Sequence, residues 1–286
     1  MTQNKTLNFR NMALFLIPAW ALFFCFLLVP GPVFGQDTAV LIAPTRVVFE
    51  GRTRSITIKL INPNTTPQTY KISLISIRTD EYGTRTEVQS PDESELFAQE
   101  MIQFSPRRAT IPPQGWQTVR LMVRKPKDLP EGEYRTQLKV TPVPGAKTLD
   151  PQGDKDNIAI NIDIVFHVSI PIIVRHGQVD VALTPQEPRL ITKNQQYFLE
   201  TKIERSGLTS VFADVKAFFT PLDGPGQKIQ LGEVKGISIY SQNNDQIVYI
   251  PVKDRDALTR GKIEIEITNR EKKDNPLLVS KSFDFN

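Results

Sequence analysis

An all-β protein of two sandwiches in series is what this sequence predicts, and three observations predict it. Apolar residues alternate with polar ones at a period of two through most of the chain beyond residue 50, which places one face of each segment on a core and the other in water. Turn-forming clusters interrupt these runs at short intervals, and proline (22) outnumbers glycine (15), an excess suited to loops and strand edges rather than helices. The pattern restarts after Arg175-His176-Gly177, so each half supplies its own set of six or seven strands.

Residues 1–35 read as a signal peptide. Lys5 and Arg10 stand in an acid-free stretch, residues 13–29 are apolar almost throughout, and Pro30-Gly31-Pro32 ends the run. Val33-Phe34-Gly35 then suits signal peptidase, with a mature start near Gln36. An uncleaved anchor is the alternative, because a seventeen-residue run sits at the lower edge of what spans a bilayer. Cys25 follows Phe24 rather than the small residue of a lipoprotein signal, and in either case the rest of the chain is exported. Cleavage removes two cations from a net charge of +4 and also the only cysteine. Each exported domain must then be held by its apolar core rather than by disulfides, and roughly 250 residues suffice for two cores.

In the first half the alternating sets are Ile56/Ile58/Leu60, Tyr70/Ile72/Leu74, Val119/Leu121/Val123 and Tyr134/Thr136/Leu138/Val140. Asn62-Pro63-Asn64, Pro112-Pro113-Gln114-Gly115 and Pro130-Glu131-Gly132 separate them as turns, and only residues 92–102 hint at helix, a turn or two at most. In the second half the sets are Val179/Val181/Leu183, Leu199/Thr201/Ile203, Val211/Ala213/Val215, Val248/Ile250/Val252, Ile263/Ile265/Ile267 and Phe283/Phe285. Six or seven strands per roughly 100 residues is the expectation for an immunoglobulin-like sandwich. The expected domains are therefore 36–175 and 176–286, with a single large barrel as the alternative.

Composition narrows function by exclusion. His167 and His176 are the only histidines, which leaves almost no material for a metal site or a catalytic triad. The chain has no Gly-rich phosphate loop, nucleophile elbow or Cys/His cluster, and Glu264 and Glu266 fall on the wet face of an alternating strand. No catalytic residue, metal or cofactor is expected. A dispersed charge of +4 does not point to nucleic acid.

One segment is too long for its domain. Between residues 158 and 174, Ile158, Ile160, Ile162, Ile164, Phe166, Val168, Ile170 and Ile172 make every second residue apolar. Seventeen residues of strand reach roughly 56 Å, more than one small sandwich can cover. Part of this row is expected to protrude past the sheet or lie at its edge, with a bend or bulge at Pro171. It reads either as a long half-buried strand, or two strands separated at Pro171, or as an edge that donates apolar side chains to another protein.

Three segments, Thr45-Arg46-Val47-Val48-Phe49-Glu50-Gly51, Asn62-Pro63-Asn64, and Ile111-Pro112-Pro113 with Gln117-Thr118-Val119-Arg120-Leu121, stand in order along the N-terminal half. On these residues the N-terminal half resembles the periplasmic pilus chaperones of the chaperone–usher pathway. Leu129-Pro130-Glu131-Gly132-Glu133-Tyr134-Arg135 and Ile170-Pro171-Ile172-Ile173-Val174-Arg175 continue it in order, whereas the C-terminal half agrees only in length and strand pattern. The resemblance implies two immunoglobulin-like β-sandwich domains set at an angle behind a signal peptide, working in the periplasm. It also implies that Ile158, Ile160, Ile162, Ile164 and Phe166 fill the open groove of a pilus or fimbrial subunit in a 1:1 complex, which is then delivered to an outer-membrane usher.

Members of that family also grip the subunit's terminal carboxylate with a basic pair. Arg46 matches the first of these, and a guanidinium suits the task because it offers two parallel hydrogen bonds. The second, a lysine in the family, aligns with Pro171, so Arg135 or Arg175 substitutes for it or docking differs. Arg135 is expected to face solvent, and Tyr134 to be a packed corner tyrosine. An exposed apolar strand makes a self-capping dimer of the empty protein a further expectation. The competing reading is a secreted two-domain immunoglobulin-like adhesion or receptor-binding module.

Overall fold

Almost all the alternating runs become strands with their apolar members turned inward, within the residues that the computed structural model describes: 39–89, 92, 95–144, 165–178, 180–222, 226–256 and 258–286. The signal segment, Val179 and the donor positions Ile158, Ile160, Ile162 and Ile164 lie outside the described residues.

The first sandwich comprises β1 (Leu41–Ala43), β2 (Val47–Phe49), β3 (Ser55–Ile61), β4 (Gln68–Thr79), β5 (Arg85–Val88), β6 (Ile102–Ser105), β7 (Arg108–Ile111), β8 (Trp116–Val123), β9 (Gly132–Pro142) and β10 (Val168–His176). One sheet runs β1-β3-β8-β6 and the other β2-β10-β9-β4-β5, with β7 also on β4. The opening segment changes sheets: β1 pairs antiparallel with β3, and β2 lies parallel to β10. Phe49, Ile58, Leu60, Leu121, Leu138 and Ile172 are fully buried between the two sheets. Asn62 ties two of the expected turns together, donating from Nδ2 to the carbonyls of Thr66, Ile111 and Pro112 while its Oδ1 accepts from the Asn64 amide.

The second sandwich comprises β11 (Val181–Pro185), β12 (Arg189–Lys193), β13 (Gln196–Gly207), β14 (Val211–Pro221), β15 (Ile229–Ile239), β16 (Asp245–Pro251), β17 (Gly261–Asn269) and β18 (Leu277–Phe285). Central β13 pairs with β16 on one side and shares its other edge between β11 and β12. The opposing sheet runs β15-β14-β17-β18, and Leu199, Ile203, Phe219, Ile250, Ile263 and Ile265 fill the space between. Two sandwiches with separate cores replace the alternative of one large barrel.

Gly177 makes the turn out of β10. Its φ is +78°, and a Cβ there would stand 2.4 Å from the Glu131 side chain, which favours glycine on both counts. The two sandwiches also meet at the tip of the β4–β5 hairpin. There the Ile247 amide and the Gln246 side chain donate to the Glu81 carbonyl at 2.8 and 2.9 Å, and the Asn243 side chain donates to the Thr79 carbonyl at 2.9 Å.

Among the described residues, the stretch 92–102 forms a single 3-10 turn, Gln99–Met101, within the turn or two expected of it. The expectation at Pro171 is corrected: it makes neither bend nor bulge, since β10 stays in unbroken register with β9 from Val168↔Val140 to His176↔Gly132. Proline is tolerated there because β2 reaches only Ile172, Ile173 and Val174, leaving β10 at Pro171 with a strand partner on one side among the described residues. Within the described part of the long segment, strand pairing begins at Val168, and residues 165–167 are not strand.

Candidate functional site

The C-terminal end of β10 and the β9 residues beside it carry the charged groups of the seam between the sandwiches. One face of each strand follows the core alternation, through Tyr134, Thr136 and Leu138 and through Ile170, Ile172 and Val174. The opposite face, which alternation assigns to water, is buried too: Glu133, Arg135, Gln137 and Ile173 are almost wholly enclosed. The second sandwich reaches this face through Thr209, Ser210, Tyr240 and Gln242.

Glu133 and Arg175 face each other across β9 and β10, and their ion pair is 3.1 Å long. The same Glu133 oxygen accepts from the Thr209 hydroxyl at 2.9 Å and from the Ser210 amide at 3.0 Å. Burial by itself raises the Glu133 carboxyl, but hydrogen bonds from Ser210 and the charge of Arg175 outweigh it and hold the pKa below the usual carboxylate value. Arg175 also reaches Glu271 at 2.8 Å and Glu50 at 3.2 Å. Burial pulls the Arg175 pKa down, while the charges of Glu271 and Glu133 together raise it above its ordinary value.

Arg46 joins the cluster from the loop between β1 and β2. Its Nε donates to Glu271 at 3.2 Å, Nη1 to the Ser238 hydroxyl at 3.2 Å and Nη2 to the Ser210 hydroxyl at 3.1 Å. Its guanidinium lies 5.2 Å from the Phe212 ring centre. Within the group of Arg46, Arg175, Glu133 and Glu271 every charge meets an opposite one, and the Glu271 carboxylate ties both arginines of the first sandwich to the second.

Arg135 lies apart from that group. It is 4% exposed, not solvent-facing as alternation implied, because Tyr240 and Gln242 of the second sandwich fold over it. Its Nη2 donates to the Ile77 carbonyl at 2.9 Å and to the Gln242 side-chain oxygen, and its guanidinium stacks 3.5 Å from the Tyr240 ring centre. Tyr134 is the expected corner tyrosine, donating its hydroxyl to the Pro130 carbonyl at 3.0 Å.

At its other end β10 is half open. Among the described residues no strand pairs with the second edge of residues 168–171. Val168 is only partly buried against the core, and Phe166, next outward on the same sequence parity, is 65% exposed.

Sequence reasoning missed Glu133, Glu271, Ser210, Tyr240 and Gln242 as members of the seam. A signal for Glu133 was present, since Glu133 and Arg135 flank Tyr134 on a strand that ends opposite Arg175. Nothing local pointed to Glu271 or Ser210, which lie in loops of the other sandwich. Glu264 and Glu266 sit on the polar face of β17 and share Lys228 at 2.8 and 2.7 Å. Among the described residues no three His, Cys, Asp or Glu side chains gather as metal ligands, and no helix is long and apolar enough to cross a membrane.

No protein-family profile and no curated protein sequence matches the chain. Among solved structures it is similar to the class 5 fimbriae chaperone CfaA, at 12% identity and a TM-score of 0.47, covering 86% of this chain and 99% of that one. It is similar to the YadV chaperone at 15% identity and a TM-score of 0.45, covering 87% and 100%. It is also similar to the CsuC–CsuE chaperone–tip adhesion subunit pre-assembly complex of Acinetobacter baumannii, at 13% identity and a TM-score of 0.43, covering 86% and 98%.

Proposed function

We propose that the protein is a periplasmic chaperone that binds pilus or fimbrial subunits by lending them a strand, and delivers them to an outer-membrane usher. The observation that carries this reading is the half-open edge of β10. Followed from Val174 back to Val168, the strand passes from two β neighbours to one, while its core-facing row runs outward toward an exposed Phe166. An open edge continuous with a solvent-facing apolar row is an aggregation hazard unless a partner covers it, and strand addition covers both.

In this reading Ile158, Ile160, Ile162, Ile164 and Phe166 enter the subunit's groove in a 1:1 complex, and the empty protein caps the same row by dimerising. A fully buried isoleucine contributes about 1.5–3 kcal/mol, so four supply several kcal/mol against the cost of ordering the segment. Arg46 and Arg135 anchor the subunit's terminal carboxylate. Every Arg46 nitrogen donor group is already engaged, so Arg46 takes a new carboxylate by exchanging it for that of Glu271, one carboxylate for another.

Co-expression with a pilin subunit is the test. A stable 1:1 complex that protects the subunit from degradation is expected, and Ile162→Asp with Ile164→Asp abolishes it by placing charges against an apolar groove. Undiminished binding by the double variant would end the strand-donation reading. Unchanged affinity in Arg46→Ala would remove that residue from the anchor.

A further inference from the structure

The first sandwich has two outer faces. That of β9 and β10 is covered by the second sandwich, whereas that of the β1-β3-β8-β6 sheet carries exposed side chains, among them Leu41, Lys59, Trp116, Arg120 and Met122. Strand register puts Leu41, Ile61 and Trp116 in one row across three strands, and Trp116 is 59% exposed. Lys59 stands 4.9 Å from the Trp116 ring centre, and Arg120 donates to the Ser55 hydroxyl at 3.0 Å. The four strands contain no Asp or Glu, so neither cation meets a carboxylate from its own sheet.

At the end of the face marked by Met122, a cavity of about 620 Å³ is lined by Arg54, Arg124, Lys125 and His176 and by no acidic side chain. Charge of one sign therefore runs from Lys59 and Arg120 to this cavity, with exposed apolar side chains at both ends of the sheet. Cations beside exposed Trp and Leu are the pattern of a protein face that lies in a membrane interface. The ring sits at headgroup level, the long cationic stems lie along apolar surface, and their charged ends meet anionic headgroups. A bilayer offers negative charge wherever such a face touches it, whereas an acidic protein must match it side chain by side chain. In sequence, only residues 30–40 separate Leu41 from the apolar run read as the export signal, so this face is delivered beside a bilayer.

We propose that the outer face of the β1-β3-β8-β6 sheet docks on an anionic phospholipid bilayer. Leu41 and Trp116 enter the interface, Lys59 and Arg120 meet headgroup phosphates, and the cavity beside Arg54 and Arg124 receives one headgroup. The seam and the half-open edge of β10 belong to the opposite sheet, so docking leaves both uncovered. The inference does not rest on strand donation, and its test uses no subunit.

Thr38–Asn286 form a compact unit by themselves, so the exported chain from Gln36 is the protein to test. Trp116 is its only tryptophan, because the other, Trp20, belongs to the signal segment. Trp116 emission is followed as vesicles of phosphatidylglycerol and phosphatidylcholine in equal parts are added, beside vesicles of phosphatidylcholine alone. A saturable blue shift and co-sedimentation with the anionic vesicles only, both reversed by salt, are expected. A basic residue near an anionic surface is worth about fivefold in affinity, so Lys59→Gln with Arg120→Gln should weaken binding by more than about tenfold. Both residues are exposed, so the fold tolerates the change. Lys253→Gln with Lys262→Gln, which removes the same charge from exposed positions of the second sandwich, should bind as the wild type does. No shift with anionic vesicles, an equal response to neutral ones, undiminished binding by the first variant or an equal loss in the second overturns the proposal. So does a shift with poly-glutamate but not with vesicles, which assigns the face to an acidic protein.

Discussion

Two arginine sites share the seam between the sandwiches, and they differ in how their charge is met. Around Arg46 and Arg175 each guanidinium faces a carboxylate, with Glu133 and Glu271 supplying the anions. Around Arg135 the surroundings are a carbonyl, an amide and an aromatic ring. Arg135 is the more deeply buried, while Arg46 and Arg175 are part-buried. Compensation separates them further: an ion pair at the seam is committed to holding it, because breaking it leaves Glu133 buried and unpaired, whereas the hydrogen-bond acceptors of Arg135 are neutral.

Arg175→Ala puts this contrast at greatest risk. It leaves Glu133 buried without its cation and is expected to cost about 3–5 kcal/mol, read as a shift in the denaturant midpoint. A loss below about 1 kcal/mol would mean that the balanced group is not what holds the seam.

Acid acts on the same group more gradually. The Glu133 pKa is depressed in the folded chain, so its contribution is fully present above the unfolded value of about 4.3 and is lost as pH falls through the lower folded value. The wild-type Tm is therefore expected to fall more steeply than that of Glu133→Gln in that window. Parallel curves would show that the carboxylate is not titrating against the fold.

Arg135→Met is expected to change stability by no more than about 1 kcal/mol in either direction, since it removes an uncompensated charge and keeps most of the side-chain volume. A cost comparable to that of Arg175→Ala would place the two sites in one class. The smallest effect is Tyr240→Phe, within about 0.5 kcal/mol, because the hydroxyl it removes has no hydrogen-bond partner among the described residues. Calorimetry that finds a clear loss there would reveal a partner for that hydroxyl.

Much of the fold was legible before any coordinates. Ile58 and Leu60, Leu121 and Val123, Ile263 and Ile265 are buried as their alternation requires. Pro171 was read as an interruption because a proline costs a ladder hydrogen bond in a strand flanked on both sides, and the one-sided pairing of β10 at that point could not be seen locally. The arginines divide similarly. Arg46 was found through the motif around it, but its engagement with Glu271 was not, and Arg135 was assigned to solvent on the same alternation that placed Tyr134 correctly.

Strands, turns and the existence of two cores are written locally in the chain, because a period of two is a property of neighbouring residues and the pleat converts it directly into two faces. Which outward faces stay wet is settled at longer range. The groups that cover β9 come from far along the chain: Ser210 lies 77 residues from Glu133, and Gln242 lies 107 from Arg135. The partner of Arg46 is 225 residues away. No local pattern encodes contacts at that range. They follow from how two finished sandwiches meet, and that meeting turns ordinary surface charges into one balanced group and one arginine held by neutral acceptors and a ring.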